Sequence, residues 1–320
     1  MNPQFIDKRT VAALLSMREC IEVMEKMFRL LAAGDCVLPL RSLMWLPDRS
    51  GLLGMMPSYS ASLGLMGIKL ISVFHENARL GYPSHQGAVM LFDAVNGAPL
   101  AILDAEEITS LRTAAASAVA TRLLSRSDAH TLAVIGSGEQ ASRHIEAIPM
   151  VREITQINIW SRNLAAARAL ADRHAARSGM RFAVFETARE AVAGADIICT
   201  TTSSAAPVLE GAWLSPGIHI NAVGASSPNA RELDTDAVKK AKLFADCYES
   251  VYHEAGDFLV PKREGVITDA HVRGEISEVL SGLKPGREND AEITLFKSLG
   301  IGTEDLFSAA YVYEKLRASK

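Results

Sequence analysis

Cysteine is scarce in this 320-residue chain: four residues, Cys20, Cys36, Cys199 and Cys247, scattered and without a C-x-x-C pair. That spacing argues against a disulfide framework or a cysteine zinc site and suits reduced thiols in a cytosol. Long apolar runs are missing too. No stretch approaches the ~20 apolar residues of a membrane helix, and the opening "MNPQFIDKRTVAALLSM" carries charges where a signal peptide has its apolar core. Charge of one sign is not in excess either. A net charge of −4 leaves no electrostatic case for nucleic acid or anionic lipid. His, Cys and Asp never gather at metal-ligand spacing, and no G-x-S-x-G nucleophile elbow occurs. The expectation is a cytoplasmic protein with no metal, nucleic-acid or membrane partner, and a length comfortable for two domains.

What is present falls into two rhythms. "SMRECIEVMEKMFRLLAAG" predicts a helix with an S-x-x-E capping box at Ser16 and Glu19. Its apolar stripe is Ile21, Met24, Met27, Phe28 and Leu31, and Gly34 stops it. Strand-like runs follow, "VLPLRSLMWLP", "GLLGMMPSYS", "LMGIKLISVF", "AVMLF" and "PLAILD", and then a helical stretch from Asp104 onward. The first 125 residues therefore predict an α+β unit with a largely antiparallel sheet. From "TLAVIG" onward strand and helix alternate. Six strands, ending at "KLFAD", predict an open, doubly wound parallel sheet of Rossmann type. A strand "EITLF" and a closing helix "TEDLFSAAYVYEKL" remain in the tail.

The loop "VIGSGEQA" places Gly136, Gly138 and Ala141 in G-x-G-x-x-A spacing between a strand and a helix. The first glycine permits the tight turn, the second lets the backbone approach a pyrophosphate, and the small third residue lets helix and strand pack. Alone, the pattern is common among glycine turns; inside an alternating sheet it predicts a dinucleotide site. At the end of the second strand such folds carry an acid that holds the adenine ribose and repels a 2′-phosphate. This chain has Ser161, Arg162 and Asn163, with no carboxylate. A guanidinium there can pair with phosphate and stack on adenine, which predicts NADP(H) in preference to NAD(H). The plainer alternative is that Arg162 is a solvated loop residue.

Three cations fall where their neighbours at strand or helix spacing are apolar or small. Arg41 sits among Val37, Pro39, Leu43 and Trp45, Lys69 among Leu65, Gly67, Ile71 and Val73, and Arg112 among Ile108, Thr109, Ala115 and Ala116. No acid nearby in sequence is an obvious partner for any of them. A ligand carboxylate would supply the missing charge; taken singly, each could equally be a snorkelling cation. His85, in "YPSHQGAV", reads as a proton donor or a hydrogen-bonded turn histidine, and Asp257, in "EAGDF", as a helix cap.

Together "MMPSYSA", "PSHQGAVMLFD", "LRTAAASAVATRLL", "IGSGEQA", "HINAVGASSPNARELD" and "FKSLGIGTEDL" resemble the ornithine cyclodeaminase/mu-crystallin family, most of all its ketimine reductase branch. The resemblance spans nearly the whole chain. It implies a homodimer, with a dimerisation and substrate domain from residues 1–125 and 299–320 around a Rossmann domain of residues 126–298. It implies that Arg41, Lys69 and Arg112 hold a substrate carboxylate, and that Lys69 or a water near His85 supplies the proton. Thr113 and the loop Gly136, Ser137, Gly138, Glu139 and Gln140 fall on phosphate-binding positions. Thr201 joins the cofactor residues, and Val223, Gly224 and Ser298 fall near the nicotinamide. One departure matters. Ornithine cyclodeaminases carry an aspartate two residues after the glycine of "VGASSPN", as acid/base on the substrate amine, and this chain has Ser226. A hydroxyl with no activating base beside it cannot do a carboxylate's proton transfer near neutral pH. What this implies is NADPH-dependent reduction of a small cyclic imino acid rather than cyclodeamination.

Overall fold

The computed structural model describes residues 3–319. The chain divides into two compact units, Met1–Arg112 with Gly300–Lys320, and Thr113–Leu299. In order, the first unit holds β1 (Gln4–Ile6), α1 (Lys8–Leu14), α2 (Met17–Ala32), β2 (Cys36–Val37), β3 (Ser42–Trp45), β4 (Leu52–Ser60), β5 (Leu65–Val73), β6 (His85–Asp93), β7 (Pro99–Asp104) and the start of α3 (Ala105–Leu124). The second holds β8 (Thr131–Ile135), α4 (Glu139–Ala147), β9 (Gln156–Trp160), α5 (Leu164–Ala175), β10 (Arg181–Val184), α6 (Ala188–Val192), β11 (Ile197–Thr200) and β12 (His219–Ala222). It continues with α7 (Thr235–Lys240), β13 (Lys242–Ala245), α8 (Tyr248–Glu254), α9 (Gly256–Arg263), β14 (Val272–Glu275), α10 (Ile276–Leu280) and β15 (Thr294–Lys297). The closing helix α11 (Gly302–Ala318) belongs to the first unit. The division falls inside α3, earlier than the sequence rhythm places it.

The first unit is built on a sheet ordered β1-β7-β6-β5-β4-β2, with β3 also on β4. Every pairing is antiparallel except β1 with β7. The capping box forms as the sequence predicts: the Ser16 hydroxyl accepts from the Glu19 amide at 3.3 Å and the Glu19 carboxylate accepts from the Ser16 amide at 2.9 Å. The stripe buries Met24, Met27 and Phe28 completely, each worth about 1.5–3 kcal/mol. Helix α11 lies against α2 and against β4, β5 and β6. Its first turn is seated closely: the Ser58 hydroxyl donates to the Gly302 carbonyl at 3.0 Å, and a Cβ at Gly67 would come within 2.9 Å of Leu306. This seating fixes where the acids of α11 lie.

One predicted strand is broken. "VLPLRSLMWLP" forms only β2 and β3, and Arg41 lies just before β3 rather than within a strand. Val37, Leu43 and Trp45 are exposed, so the apolar face expected around Arg41 is not buried within the described chain. Pro39 withdraws a ladder donor there, which explains the interruption.

In the second unit the pattern predicts six parallel strands and the sheet has eight, ordered β10-β9-β8-β11-β12-β15-β13-β14, all parallel. The additional strands are β14 and β15. "EITLF", which sequence order puts in the tail, is inserted as β15 between β12 and β13 because all four of its residues are buried. The strand order reverses at β8, whose neighbours are β9 and β11. That crevice, outside the carboxyl ends of the strands, is where open α/β sheets bind ligands.

Candidate active site

Lys69 and Arg112, two of the three cations, do have acidic partners, and both acids come from the first turn of α11. The Lys69 ammonium lies 3.0 Å from Asp305 Oδ2 and donates to Oδ1 at 3.1 Å. Arg112 donates from Nε to Asp305 Oδ1 at 3.2 Å and from Nη1 to Glu304 Oε2 at 2.5 Å. All four side chains are at most 5 % exposed. The expectation that Lys69 and Arg112 lack acid partners is therefore corrected: the partners lie some two hundred positions along the chain. Arg41 enters through the backbone, donating from Nη2 to the Gly300 carbonyl at 2.9 Å. Gly300 has φ +75°, and a Cβ there would meet the Arg112 guanidinium carbon at 2.9 Å, so only glycine fits.

Lys69 and Arg112 meet Asp305 and Glu304 here, with Arg41 held beside them by the Gly300 carbonyl. Burial, reinforced by Arg112, lowers the Lys69 pKa to about 8, against the pull of Asp305. Burial opposes charge on Arg112 too, but Asp305 and Glu304 outweigh it and hold the guanidinium charged. Lys69, Arg112 and Arg41 gathered in one largely buried place suit an anionic ligand group such as a carboxylate. His85 is not a turn residue. It begins β6, exposed, with Nδ1 2.9 Å from the Ser84 hydroxyl. The register pairs it with Val73 while Lys69 pairs with Val89, so the two share a sheet face on the order of 13 Å apart along the strands.

The residues expected to hold a cofactor lie in the second unit. Gly136 has φ +135°, and a Cβ would press on Thr201, 2.8 Å from its carbonyl oxygen, so β8 turns tightly against the end of β11. Gly138 caps α4 without a side chain, and the space where its Cβ would stand is open. Ala141 is fully buried beneath the helix. The result is a nine-residue helix with uncapped N–H groups facing an open glycine backbone, a cradle that fits a pyrophosphate. Glu139 and Gln140 open that helix, and Glu139 pairs with Arg143 at 2.9 Å.

The Ser137 hydroxyl donates to that of Ser161 at 2.9 Å, tying the loop to the end of β9. Asn163 caps α5 by accepting from the Ala166 amide at 3.1 Å, and Arg162 is exposed beside it. Val223 and Gly224 follow β12, and both amides donate to the Thr200 carbonyl, at 3.0 and 3.2 Å. Ser298 follows β15; its hydroxyl is buried with no hydrogen-bond partner among the described residues, which suits a ligand amide. Thr113 is buried on α3. Ser226 is exposed in the loop after β12.

Asp257 is not a helix cap. It is fully buried, accepts from the Glu232 and Leu233 amides at 2.8 and 3.0 Å, and lies 2.9 Å from the Lys297 ammonium. Sequence inspection overlooks Glu232, Lys297, Glu304 and Asp305 as functional candidates. The available signal was acidic pairs at a helix start, "TED", within otherwise apolar surroundings. Among the described residues no group of His, Cys, Asp and Glu could hold a metal, no disulfide joins the cysteines, and no helix is long and apolar enough to cross a membrane.

Residues 1–320 match the ornithine cyclodeaminase/mu-crystallin family. The ketimine reductase mu-crystallin of Mus musculus is 38% identical over 287 residues, covering 90% of this chain and 88% of its own. The structure of Thermococcus litoralis Δ1-pyrroline-2-carboxylate reductase in complex with NADH and L-proline superposes with a TM-score of 0.96 at 38% identity, covering 99% of this chain and 98% of that one. An archaeal alanine dehydrogenase dimer with bound NAD gives a TM-score of 0.94 at 34% identity, covering 100% and 97%.

Proposed function

The chain belongs to the ornithine cyclodeaminase/mu-crystallin family, and on that premise we propose that it reduces small cyclic ketimine carboxylates with NAD(P)H. It is an NAD(P)-dependent oxidoreductase whose substrates are Δ1-pyrroline-2-carboxylate or its six-membered homologue, Δ1-piperideine-2-carboxylate, giving proline or pipecolate. The observation that carries this reading is the buried cluster of Lys69, Arg112, Glu304 and Asp305 with Arg41 beside it. It supports a carboxylate-binding site, in a chain whose relatives include a reductase bound to L-proline.

In the proposed mechanism the first unit, with the closing helix, binds substrate and the second unit binds cofactor. Arg112 presents its fork to the carboxylate, and Arg41 and Lys69 add charge and fix the ring's orientation. A reduced nicotinamide, when bound, supplies the hydride to the imine carbon. The imine nitrogen gains its proton beforehand, so the iminium carbon accepts the hydride pair and becomes the amino acid. Lys69, buried and with its pKa lowered to about 8, is better placed than a water near His85 to supply that proton.

NADP(H) is the preferred cofactor and NAD(H) the alternative, because the turn after β9 offers Arg162 and no carboxylate. The assembly is a cytoplasmic homodimer. Exposed Phe5, Leu43, Met44 and Trp45 on the first unit support a buried face between copies. A second reading, oxidation of an L-alanine-type amino acid, draws on the alanine dehydrogenase neighbour. Ornithine cyclodeamination is disfavoured by Ser226, and a non-catalytic binding role by the retention of all three cations.

One experiment separates these. With purified protein, NADPH absorbance is followed on adding the cyclic imino acids, ammonia release is followed with L-ornithine, and NADP⁺ reduction with L-alanine. Brisk imine reduction with little ornithine turnover is expected. Comparable ammonia release from ornithine would overturn the reading.

A further inference from the structure

The turn after β12 is fastened by a carboxylate that no step of the proposed reaction uses. Glu232 is fully buried and accepts four hydrogen bonds. Its Oε1 takes the Thr202 amide at 2.6 Å and the Thr202 hydroxyl at 2.7 Å; its Oε2 takes the Thr200 hydroxyl at 2.8 Å and the Gly224 amide at 2.7 Å. The carboxylate therefore staples the end of β11 to the turn that follows β12. The fit is close: a Cβ at Gly224 would collide with the Thr202 carbonyl and lie 2.6 Å from Glu232 Oε1.

The staple is one end of a connected buried network. Asp257 accepts from the Glu232 amide at 2.8 Å and pairs with Lys297 at 2.9 Å. Lys297 in turn donates to the Ala225 carbonyl at 2.6 Å. The turn is thus held on two flanks, at the Gly224 amide by Glu232 and at the Ala225 carbonyl by Lys297, and Lys297 directly precedes Ser298. All three residues assigned above to the nicotinamide, Val223, Gly224 and Ser298, are bonded or adjacent to this network.

Burying two acids with one lysine is costly, and an apolar residue at position 232 would avoid that cost. Burial, reinforced by Asp257, pushes the Glu232 carboxyl up, and Lys297 and Thr202 oppose it. Each oxygen receives a backbone N–H, which can only donate, so both oxygens must act as acceptors. An amide side chain cannot meet that demand.

We propose that Glu232 is a positioning residue for the nicotinamide half of the cofactor, setting the place of the Val223–Gly224 turn through its two-sided bond to Gly224 and to the end of β11. This rests on the reading of the second unit as the cofactor unit. It assigns Glu232 no contact with substrate or cofactor.

The test is a pair of binding measurements on Glu232→Gln in the full-length protein. Binding of 2′,5′-ADP, the adenine half of the cofactor, is expected to stay within about twofold of wild type. NADPH affinity is expected to fall roughly tenfold, as for lost charged hydrogen bonds. The fluorescence enhancement of bound NADPH is expected to diminish. Thr200→Val, which removes one hydroxyl donor and keeps the carboxylate, should move NADPH affinity in the same direction by a smaller factor, and decides the matter alone if Glu232→Gln does not fold. Equal losses for both ligands would make Glu232 merely structural and overturn the proposal, as would unchanged NADPH binding and fluorescence. Wild-type protein that binds neither of these ligands, nor NADH, would overturn the cofactor reading itself, and the proposal with it.

Discussion

Asp305→Asn probes the cationic cluster most sharply, because one carboxylate serves both Lys69 at 3.0 Å and Arg112 at 3.2 Å. Breaking a buried ion pair by removing one partner usually costs about 3–5 kcal/mol, since the other charge is stranded. This site has an outlet. Lys69 already has a pKa of about 8, so at pH 7 shedding its proton costs only about 1.4 kcal/mol, one pH unit. Arg112 keeps Glu304, and its bond to position 305 falls from an ion pair to a hydrogen bond on a neutral amide oxygen, a loss of about 1–1.5 kcal/mol. The expected loss at pH 7 is therefore about 2–3 kcal/mol, below the usual range.

The sign with pH follows from the same outlet. Protonated Lys69 gains from Asp305 only while it keeps its proton, so that part of the stabilisation is present below about pH 8 and lost above it. The gap between wild type and variant should narrow between pH 7 and pH 9. Urea denaturation followed by far-ultraviolet circular dichroism at the two pH values measures it. A loss under about 0.5 kcal/mol at pH 7, or an equal gap at both pH values, would refute the reasoning.

Three further outcomes are expected. Pyrrole-2-carboxylate, a flat analogue whose own charge is constant above pH 6, should bind with steady affinity up to about pH 8 and weaken roughly tenfold above it as Lys69 deprotonates. Calorimetric titration at pH 7 and 9.5 checks this, and Lys69→Arg should remove the fall. Arg162→Ala should raise KM for NADPH by the equivalent of about 1–2 kcal/mol and leave NADH nearly untouched; equal losses in steady-state kinetics would take Arg162 out of the 2′-phosphate site. Arg112→Lys keeps the charge and loses the bidentate fork, so imine kcat/KM should fall at least about tenfold with the circular dichroism spectrum unchanged; a wild-type rate would contradict the carboxylate site.

Local features were the legible ones. The capping box of α2 and the G-x-G-x-x-A loop depend on residues within one turn of each other, and both form as their spacing predicts. Pairing between distant segments was not legible. β15 inserts between β12 and β13, a parallel arrangement whose partners are far apart in sequence and leave no local period. The same limit explains the cations. Lys69 and Arg112 look partnerless along the sequence because Glu304 and Asp305 reach them only through the seating of α11 on β4 and β5. Arg41 misled for a different reason. Alternation across "VLPLRSLMW" suggests one strand, but Pro39 interrupts it and Arg41 is held by the Gly300 carbonyl instead. Glu232 was invisible, and Asp257 legible only as a helix cap, because backbone amides and distant hydroxyls that bond a buried acid carry no sequence signature.

The most direct test of the central claim is a stoichiometry. Purified protein is mixed with limiting Δ1-pyrroline-2-carboxylate and excess NADPH, and the fall in NADPH absorbance is compared with proline measured by chromatography. One proline per NADPH oxidised, at a rate well above that with L-alanine or L-ornithine and oxidised cofactor, is the expected result. NADPH left unoxidised by either cyclic imine, in protein that binds the cofactor, would contradict the assignment of a ketimine reductase.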